Sequence, residues 1–413
     1  MREFLKSEPP IPFSLTKCEN AYATVMNNVF GYIDRYSDSL FKEQPFCEVD
    51  ALVFTWLSYF EIENLAERGI DCRLTLKNLV KKTEENLGEI KKPEKLGKLV
   101  STATGAWMLK QVSDKKRFKG VRIGGFKTVN DHINGIQFSV TSYILDTGVE
   151  VISFRGTDTS VAGWKEDCMT SYSLRIPSQE LALKYLNMRR GNRPLIVTGH
   201  SKGGNLAIYA ASKCHKSIVP RITDVYNFDG PGFCFDIKTT ENFNEIKDRI
   251  HSYIPGSSIV GMLLQHMDDY AVVSSLNAGI MQHYAFYWKI EGRAFVRQEK
   301  RNLSSRSMDA AFKQWMADLS FEERKAFVET VFSVIEESGV KYFDDFSKSD
   351  LKALFSKINS MDAKSKKMFR SFLVKIIKAS SSEVLSAASD VFGRVKDNVA
   401  EKVSNTLAKH FNQ

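Results

Sequence analysis

The segment 194–211 constrains the fold of this chain more than any other feature, and it reads PLIVTGHSKGGNLAIYAA. A short apolar run turns sharply through Gly-His-Ser-Lys-Gly and continues at once as a helix of small residues, which is typical of a nucleophile elbow. Such a turn holds its central residue, Ser201, in strained backbone geometry with the hydroxyl exposed. Glycine is needed at Gly199 and Gly203 because a Cβ there would collide with the neighbouring strand and helix. The alternative interpretation is a glycine-rich turn with a bystander serine.

Strand and helix patterns alternate on both sides of this segment. Residues 137–154 are predicted to form two strands with a turn between them. Further strand candidates are PLIVT, ITDVYNF, HSYIP, DYAVVSS and YAFYWKI, and helix candidates are SQELALKYLNMRR and TTENFNEIKDRI. Alternation of this kind predicts right-handed crossovers and an α/β fold with a mostly parallel sheet that is covered on both faces.

The same patterns divide the 413 residues into three parts. Residues 1–45 contain several turn-forming prolines and are predicted to be an N-terminal arm with one helix near 21–33. Residues 46–298 are predicted to be the α/β domain, with a helical preface that begins at EVDALVFTWLSYFEIENL. The strand patterns stop at about Lys300, so residues 305–413 are predicted to be a separate series of helices.

The composition is that of a soluble globular protein, with 43% hydrophobic and 26% charged residues. The N-terminus contains no apolar stretch long enough for a signal peptide, and no run approaches the length of a membrane span. We therefore expect a cytoplasmic protein. The six cysteines are scattered without CxxC spacing. This predicts reduced thiols rather than a disulfide framework or a zinc site, and we expect neither a metal nor another cofactor.

The net charge of +9 is most concentrated in residues 357–378, which contain seven basic residues and one acidic residue. Apolar residues recur there at helical spacing, so 364–378 is predicted to be a helix with one cationic face. Such a helix rests on an anionic membrane surface or meets an acidic partner, which would make the protein membrane-peripheral. The alternative is a helix that packs on the rest of the protein. No stacking-aromatic pattern or nucleic-acid motif is present, so nucleic acid is not expected as a partner.

A serine hydroxyl becomes a nucleophile at neutral pH only when a base accepts its proton. Three histidines follow Ser201 within the predicted α/β domain: His251, His266 and His283. We predict His283 as the base, because it lies in the loop before the last strand candidate, where the base of such an enzyme projects over the elbow. His251 begins a strand candidate and His266 lies in a helix-like run. Ordinary polar or core-edge roles are the alternative for all three.

The acid that orients the base is predicted to be Asp229. It follows the strand ITDVYNF at the edge of the sheet where ligand and catalytic groups collect. Asp268 and Asp269, before a later strand candidate, are the fallback. The alternative for Asp229 is an Asx turn that opens the Gly-Pro-Gly loop.

Two backbone or side-chain donors must stabilise the negative charge that develops on the attacked carbonyl oxygen. The amide of Lys202, directly after the serine, is one candidate, and the amide and hydroxyl of Thr157 are the other. The alternative for this loop is an ion pair between Arg155 and Asp158 that braces it. Trp164 either lines an acyl pocket or a lid, or is an ordinary core tryptophan.

Two of these segments, FRGTDTSVAGWKEDC and VTGHSKGGNLA, resemble the class 3 (fungal-type) lipases. The chain resembles the Mbeg-like bacterial α/β-hydrolases more closely, with PFCEVDALVFTWLSYF, VYNFDGPGF, SSIVGMLL and MQHYAFYW as further landmarks over roughly residues 45–295. The resemblance implies an α/β-hydrolase fold. It also implies Ser201 as nucleophile, His283 as base, and Thr157 and Lys202 as donors to the oxyanion.

One departure from the resemblance concerns the acid. Class 3 lipases carry it in the stretch that here reads IPGSSIVGML, where this chain has Ser257 and Ser258. The acid is then expected at Asp229, a placement that other lipases of this fold use. If Asp229 faces away from the histidine, the triad is incomplete.

These residues predict a serine hydrolase that cleaves a carboxylic ester, either a small molecule or a lipid, through an acyl-serine intermediate. A thioesterase, a peptidase or an acyltransferase would use the same constellation. A binding or scaffolding protein that keeps the elbow only as architecture is the main alternative. Hydrogen-bond contact between Ser201 and His283 would favour the enzyme.

Overall fold

The computed structural model describes residues 27–93, 102–131, 134–158, 160–258, 260–262, 264–267, 269–277, 279–302, 310, 314 and 318–337. The chain divides into two compact units, Met1–Lys300 with Lys341–Asp344, and Arg301–Val340 with Asp345–Gln413. In the second unit the described helix is Phe321–Glu337. The basic segment predicted at 364–378 lies outside the described residues. None of the helices within the described ranges is long and apolar enough to cross a membrane.

Helices precede the sheet in the first unit. They are α1 (Val29–Tyr36), α2 (Glu48–Leu57), α3 (Glu63–Ala66), α4 (Leu76–Leu87), α5 (Thr102–Val112) and α6 (Lys116–Lys119). Every residue of α2 after Glu48 is buried. A helix that is apolar all round needs neighbours on every side, and α2 contacts both α5 and the central strands of the sheet. A fully buried ion pair between Arg117 and Asp50 (2.6 Å) joins α6 to α2.

Within the described residues the first unit has ten strands, and eight of them form one sheet. In chain order the strands are β1 (Arg122–Asp131), β2 (Ile136–Ile144), β3 (Glu150–Phe154), β4 (Leu195–His200), β5 (Ile222–Phe228), β6 (Ile250–Pro255), β7 (Ala271–Val273), β8 (Ile290–Glu291), β9 (Ala294–Phe295) and β10 (Arg297–Gln298). The order across the sheet is β1-β2-β3-β4-β5-β6-β7-β10, and β8 and β9 form a separate hairpin. Strands β3 to β7 are parallel, whereas β1, β2 and β10 run antiparallel to their neighbours.

Both faces of the sheet are covered. Val151 and Ile196 belong to a core shared with the helices that precede the sheet. The next residues along the same strands, Ile152 and Val197, belong to a second core on the opposite face. Successive side chains of a strand point to opposite faces, so a strand that is buried on both sides is apolar throughout.

Four described helices connect the central strands. Helices α7 (Val161–Met169) and α8 (Pro177–Asn187) lie between β3 and β4, α9 (Lys202–Lys213) lies between β4 and β5, and α10 (Phe243–Ile246) lies between β5 and β6. The predicted α/β architecture with a mostly parallel, doubly covered sheet is confirmed. With the sharp turn from β4 into α9 at its centre, the unit has an α/β-hydrolase fold.

The structure differs from two of the predicted elements. The segment YAFYWKI forms a 3-10 turn at Ala285–Tyr287 and only a two-residue strand, because Trp288 is buried and its indole N–H donates to Gln282 O (2.8 Å). The segment TTENFNEIKDRI is helical only in part: the four-residue α-helix Phe243–Ile246 is followed by a 3-10 turn at Lys247–Arg249. The strand β1 was not predicted.

Candidate active site

The turn between β4 and α9 places Ser201 at its apex. Ser201 adopts φ 57° and ψ −131°, a conformation that L-residues rarely occupy, and its N–H donates to Phe228 O (2.9 Å) on β5. A Cβ on Gly199 would lie 2.1 Å from the carbonyl carbon of Gly203, and one on Gly203 would lie 2.2 Å from Phe154 O. The close approach of helix to strand therefore requires both glycines.

Asp229 follows directly on β5 and faces the predicted base. Its Oδ2 lies 2.6 Å from His283 Nδ1, and the carboxylate is fully buried. Its other oxygen, Oδ1, accepts hydrogen bonds from Ser258 Oγ (2.5 Å) and from the Gly261 N–H (3.2 Å). A buried carboxylate needs such donors, and here both oxygens have them. Asp229 thus contacts His283 rather than serving only as a turn residue.

The stretch IPGSSIVGML supplies donors to this carboxylate instead of an acid of its own. Ser258 is 2% exposed and donates to Asp229. A Cβ on Gly261 would lie 2.3 Å from Asp229 Oδ1, so only glycine lets this loop come so close. The loop that contains Ser258 and Gly261 therefore meets the loop that begins at Asp229, at the buried carboxylate of Asp229.

His283 lies beside the turn that carries Ser201. Its ring centroid is 4.6 Å from that of His200, the residue that precedes Ser201. Because Nδ1 is bonded to Asp229, Nε2 is the nitrogen left for proton transfer. Among the described residues, the hydrogen bonds do not include one between Ser201 Oγ and His283. In enzymes of this kind the contact between nucleophile and base is often long until substrate binds.

The other two histidine candidates make different contacts. His251 Nε2 lies 2.9 Å from Asp224 Oδ1. His266 Nδ1 lies 2.9 Å from Met267 O. Of the three histidines, His283 is the one that contacts Asp229.

The fallback acids contribute nothing to this site where the structure describes them. Asp269 is exposed, and Asp268 lies outside the described residues. Asp229 is the carboxylate bonded to His283.

The loop after β3 lies against the turn. A Cβ on Gly156 would be only 3.3 Å from Ser201 Cβ. The hydroxyl of Thr157 donates to Asp167 Oδ2 (2.6 Å), so of the two predicted donors of Thr157 only the amide is without a partner among the described residues. The amide of Lys202 is in the first turn of α9, where N–H groups have no partner within the helix. Neither the Thr157 amide nor the Lys202 amide donates a backbone hydrogen bond within the described residues.

The Lys202 side chain has a role that the sequence did not reveal. Its ammonium group is 1% exposed and donates to Glu166 Oε2 (2.9 Å) and to both Gln137 O (2.7 Å) and Gln137 Oε1 (2.8 Å). Glu166 is itself fully buried and also accepts from Ser178 Oγ (2.7 Å). A lysine within a helix of small residues was the only signal. The pair joins α9 to α7 and β2.

Asp167, next to Glu166 on α7, is an unusual carboxyl group. Burial raises its pKa to about 6, and Lys202 and the hydrogen bond from Thr157 oppose that rise only in part. Its Oδ1 is buried without a hydrogen-bond partner in the described part of the chain. The hydrogen bond from Thr157 places this carboxyl group beside the loop that follows β3.

Two further sequence alternatives are now decided. Arg155 donates to Ser58 O (2.7 Å) and pairs with Glu63 (3.4 Å), so the loop is not braced by the suggested ion pair with Asp158. Trp164 is 44% exposed on α7, so it is not a core tryptophan.

The cysteines that the structure describes are free thiols, at positions Cys47, Cys72, Cys168, Cys214 and Cys234. Burial raises the pKa of the Cys168 thiol to about 12, which keeps it protonated and unreactive. Within the described ranges, no group of His, Cys, Asp and Glu side chains is arranged to hold a metal ion.

Comparison with known families decides where the chain belongs. The family model described as Mbeg1-like matches residues 112–333, which is more than half of the chain. The chain belongs to the Mbeg1-like family. No curated protein sequence matches this Mbeg1-like protein. A solved structure similar to it is the crystal structure of M37 lipase, with 18% identity, a TM-score of 0.31, and coverage of 51% of this chain and 68% of the lipase chain.

Proposed function

We propose that this Mbeg1-like protein is a serine hydrolase that cleaves a carboxylic ester through an acyl-serine intermediate. Ser201 attacks the carbonyl carbon, His283 accepts the hydroxyl proton, and Asp229 orients the imidazole. The observation that carries the proposal is the 2.6 Å contact between Asp229 Oδ2 and His283 Nδ1, beside a turn that strains Ser201.

The proton follows one route through both halves of the reaction. With Nδ1–H donated to Asp229, His283 Nε2 takes the proton from Ser201 and then gives it to the leaving alcohol. The buried carboxylate stabilises the imidazolium that forms in between. A water molecule then attacks the acyl-serine, and the same nitrogen receives its proton and returns it to Ser201.

Negative charge on the carbonyl oxygen is stabilised by the amides of Thr157 and Lys202. The amide of Lys202 belongs to the first turn of α9, where the helix dipole also favours negative charge. Fixed donors of this type cost no reorganisation when the oxyanion forms.

The proposal is tested with p-nitrophenyl esters of graded acyl-chain length and the full chain. We expect turnover by the natural protein and a loss of about a thousandfold or more in Ser201→Ala and His283→Gln. Turnover that persists in Ser201→Ala would overturn the assignment. Parallel assays with acyl-thioesters, and with an added alcohol as acyl acceptor, distinguish the thioesterase and acyltransferase alternatives.

A binding or scaffolding protein on this fold is the second candidate. One observation favours it: in the described part of the chain Ser201 Oγ makes no hydrogen bond to His283. If neither esters nor thioesters are turned over and Ser201 is inert, this second candidate replaces the first.

A lipid-like substrate is supported by two features. Trp164 is exposed on the helix that follows the loop carrying Thr157. The basic segment 364–378 is expected from the sequence to bind an anionic membrane surface. Ester chain-length preference tests the first feature, with longer acyl chains expected to react faster.

Flotation with vesicles tests the second feature. The full chain is expected to float with phosphatidylglycerol vesicles and not with phosphatidylcholine vesicles. Flotation should be lost when three lysines of the segment are replaced by glutamine: Lys364, Lys366 and Lys367. Equal replacement of exposed lysines on α4 is the control: Lys77, Lys81 and Lys82. Equal flotation with both kinds of vesicle would remove this support.

A further inference from the structure

A buried chain of hydrogen bonds runs behind the turn from Gly156 to His283. The Gly156 N–H donates to Tyr59 Oη (3.2 Å), and Tyr59 Oη lies 3.3 Å from His200 Nδ1. His200 Nε2 lies 2.7 Å from the main-chain oxygen of His283. The two linking residues, Tyr59 and His200, are both fully buried.

The partners determine which group donates and which accepts in each of these hydrogen bonds. The main-chain oxygen of His283 can only accept, so His200 Nε2 must carry a proton. In a neutral imidazole Nδ1 is then an acceptor, so Tyr59 donates to it and accepts from the Gly156 N–H. Burial, together with the nearby His283 ring, lowers the pKa of His200 well below its ordinary value. The neutral Nε2–H tautomer is therefore the one that satisfies all the groups.

We propose that Tyr59 and His200 are positioning residues, which join the loop carrying Thr157 to the loop carrying the base. Gly156 immediately precedes Thr157, and the other end of the chain is the main chain of His283. The inference rests on the proposed function, because it concerns the alignment of two parts of that site. Movement of either loop would leave a buried donor or acceptor without a partner.

Aromatic packing holds the two linking residues in place. The Trp56 ring on α2 lies 5.2 Å from the Tyr59 ring and 5.1 Å from the His200 ring, between centroids. It also stacks on Phe286 at 3.6 Å, three residues beyond His283. The helix that precedes the sheet thus supports both the chain and the base loop from behind.

The variant Tyr59→Phe tests the positioning role, because it keeps the ring and removes the hydroxyl. It leaves the Gly156 N–H and His200 Nδ1 without partners. We expect kcat for a p-nitrophenyl ester to fall about 10- to 100-fold while KM changes by less than about threefold. The matched control is Tyr209→Phe, which removes another buried hydroxyl, bonded to Glu180 (3.0 Å), and should leave kcat unchanged.

Two replacements of His200 test the direction of the hydrogen bond between His200 and the main chain of His283. The amide nitrogen of His200→Gln can occupy the place of Nε2 and still donate to His283 O. The shorter side chain of His200→Asn reaches only the place of Nδ1, so the bond to His283 is lost. We expect kcat of His200→Gln to exceed that of His200→Asn. An equal loss in both variants, or natural kcat in Tyr59→Phe, would overturn the positioning role.

Nitrogen NMR of the full chain labelled at histidine gives a readout that requires no hydrolysis. The His200 signals, assigned by their loss in His200→Gln, should show a neutral Nε2–H ring from about pH 6.5 to about pH 9. A His200 ring that titrates in this range, or that is protonated at Nδ1 alone, would overturn the inference even if Ser201 reacts. If His200 stays a neutral Nε2–H ring but the protein has no esterase activity, the hydrogen-bond chain is supported and the proposed function is overturned.

Discussion

Ser201 and Asp229 adopt φ of 57° and 52°, although neither is glycine. They occupy equivalent places, directly after the neighbouring parallel strands β4 and β5. Such a conformation costs about 1–3 kcal/mol per residue and persists only where the surroundings fix it. Here the Ser201 N–H is bonded to Phe228 O and the Asp229 N–H to Tyr253 O. These bonds to the neighbouring strands hold both residues in the strained conformation at the ends of β4 and β5.

Asp229→Asn is the variant that separates an effect on catalysis from an effect on folding most clearly. In Asp229→Asn, the amide can still accept from Ser258, but the buried charge that stabilises the imidazolium is gone. We expect ester turnover to fall about 10³- to 10⁴-fold. The exposed Asp269→Asn is the control, and its turnover should equal that of the natural protein. Equal losses in both variants would contradict the assignment of the acid.

Asp167 should make stability depend on pH in a definite direction. Its pKa is raised to about 6 in the folded protein by burial, so the folded state binds more protons than the unfolded state between about pH 4 and pH 6. The stability from this group is therefore complete below pH 4 and is lost as pH rises through 6.

The variant Asp167→Asn removes this titration. The variant should become more stable relative to the natural protein as pH rises from 4 to 7. The difference between their free energies of unfolding should change by about 1–3 kcal/mol in total. Urea unfolding of both proteins at several pH values measures it. A difference that does not change with pH would contradict the raised pKa.

At the scale of elements, a buried ion pair joins the elbow helix α9 to α7. Lys202 and Glu166 are 1% and 0% exposed at their side chains and lie 2.9 Å apart. Removing one partner leaves the other charge buried, which typically costs about 3–5 kcal/mol, whereas an apolar pair of similar volume is often tolerated.

We therefore expect Lys202→Met to lower the free energy of unfolding by about 3–5 kcal/mol. Adding Glu166→Leu should recover only part of it, because buried donors of Ser178 and Gln137 then lose their acceptor. The control is Lys82→Met in the exposed pair with Glu85 (2.9 Å), which should change stability by less than about 1 kcal/mol. Urea unfolding measures all three. A double variant no more stable than the single one would contradict this account of the pair.

The elements with strong periodic patterns could be predicted from the sequence. The buried strands β4 and β5 and the helix α9 are apolar runs or small-residue runs bounded by turn residues. The strand β1 was missed because Gly124 and Gly125 interrupt it and polar residues fill much of it, as edge strands allow. A run such as YAFYWKI looks like a strand, but tertiary packing of its aromatic rings decides its conformation.

The site was predictable only in part. Ser201, His283 and Asp229 stand at positions that local motifs mark, so their residue types suggested their chemistry. The contacts of Lys202 with Glu166 and of Tyr59 with His200 join residues that are far apart in sequence. No local pattern records such pairings, because they depend on which elements the fold brings together.

At the scale of the whole molecule, the candidate site draws on elements from most of the first unit. Tyr59 comes from the turn after α2, Ser201 and Asp229 from the centre of the sheet, and His283 from the loop after β7. The two cores on opposite faces of the sheet hold these elements together. A site assembled from such distant segments exists only when the unit is folded, so its reactivity reports on the whole fold.

Mass spectrometry after reaction with a fluorophosphonate tests the central claim most directly. We expect one adduct per chain on the peptide that contains Ser201, no adduct in Ser201→Ala, and much slower labelling in His283→Gln. An adduct on another residue, labelling that persists in Ser201→Ala, or a folded natural protein that does not react would contradict a serine hydrolase built on Ser201, His283 and Asp229.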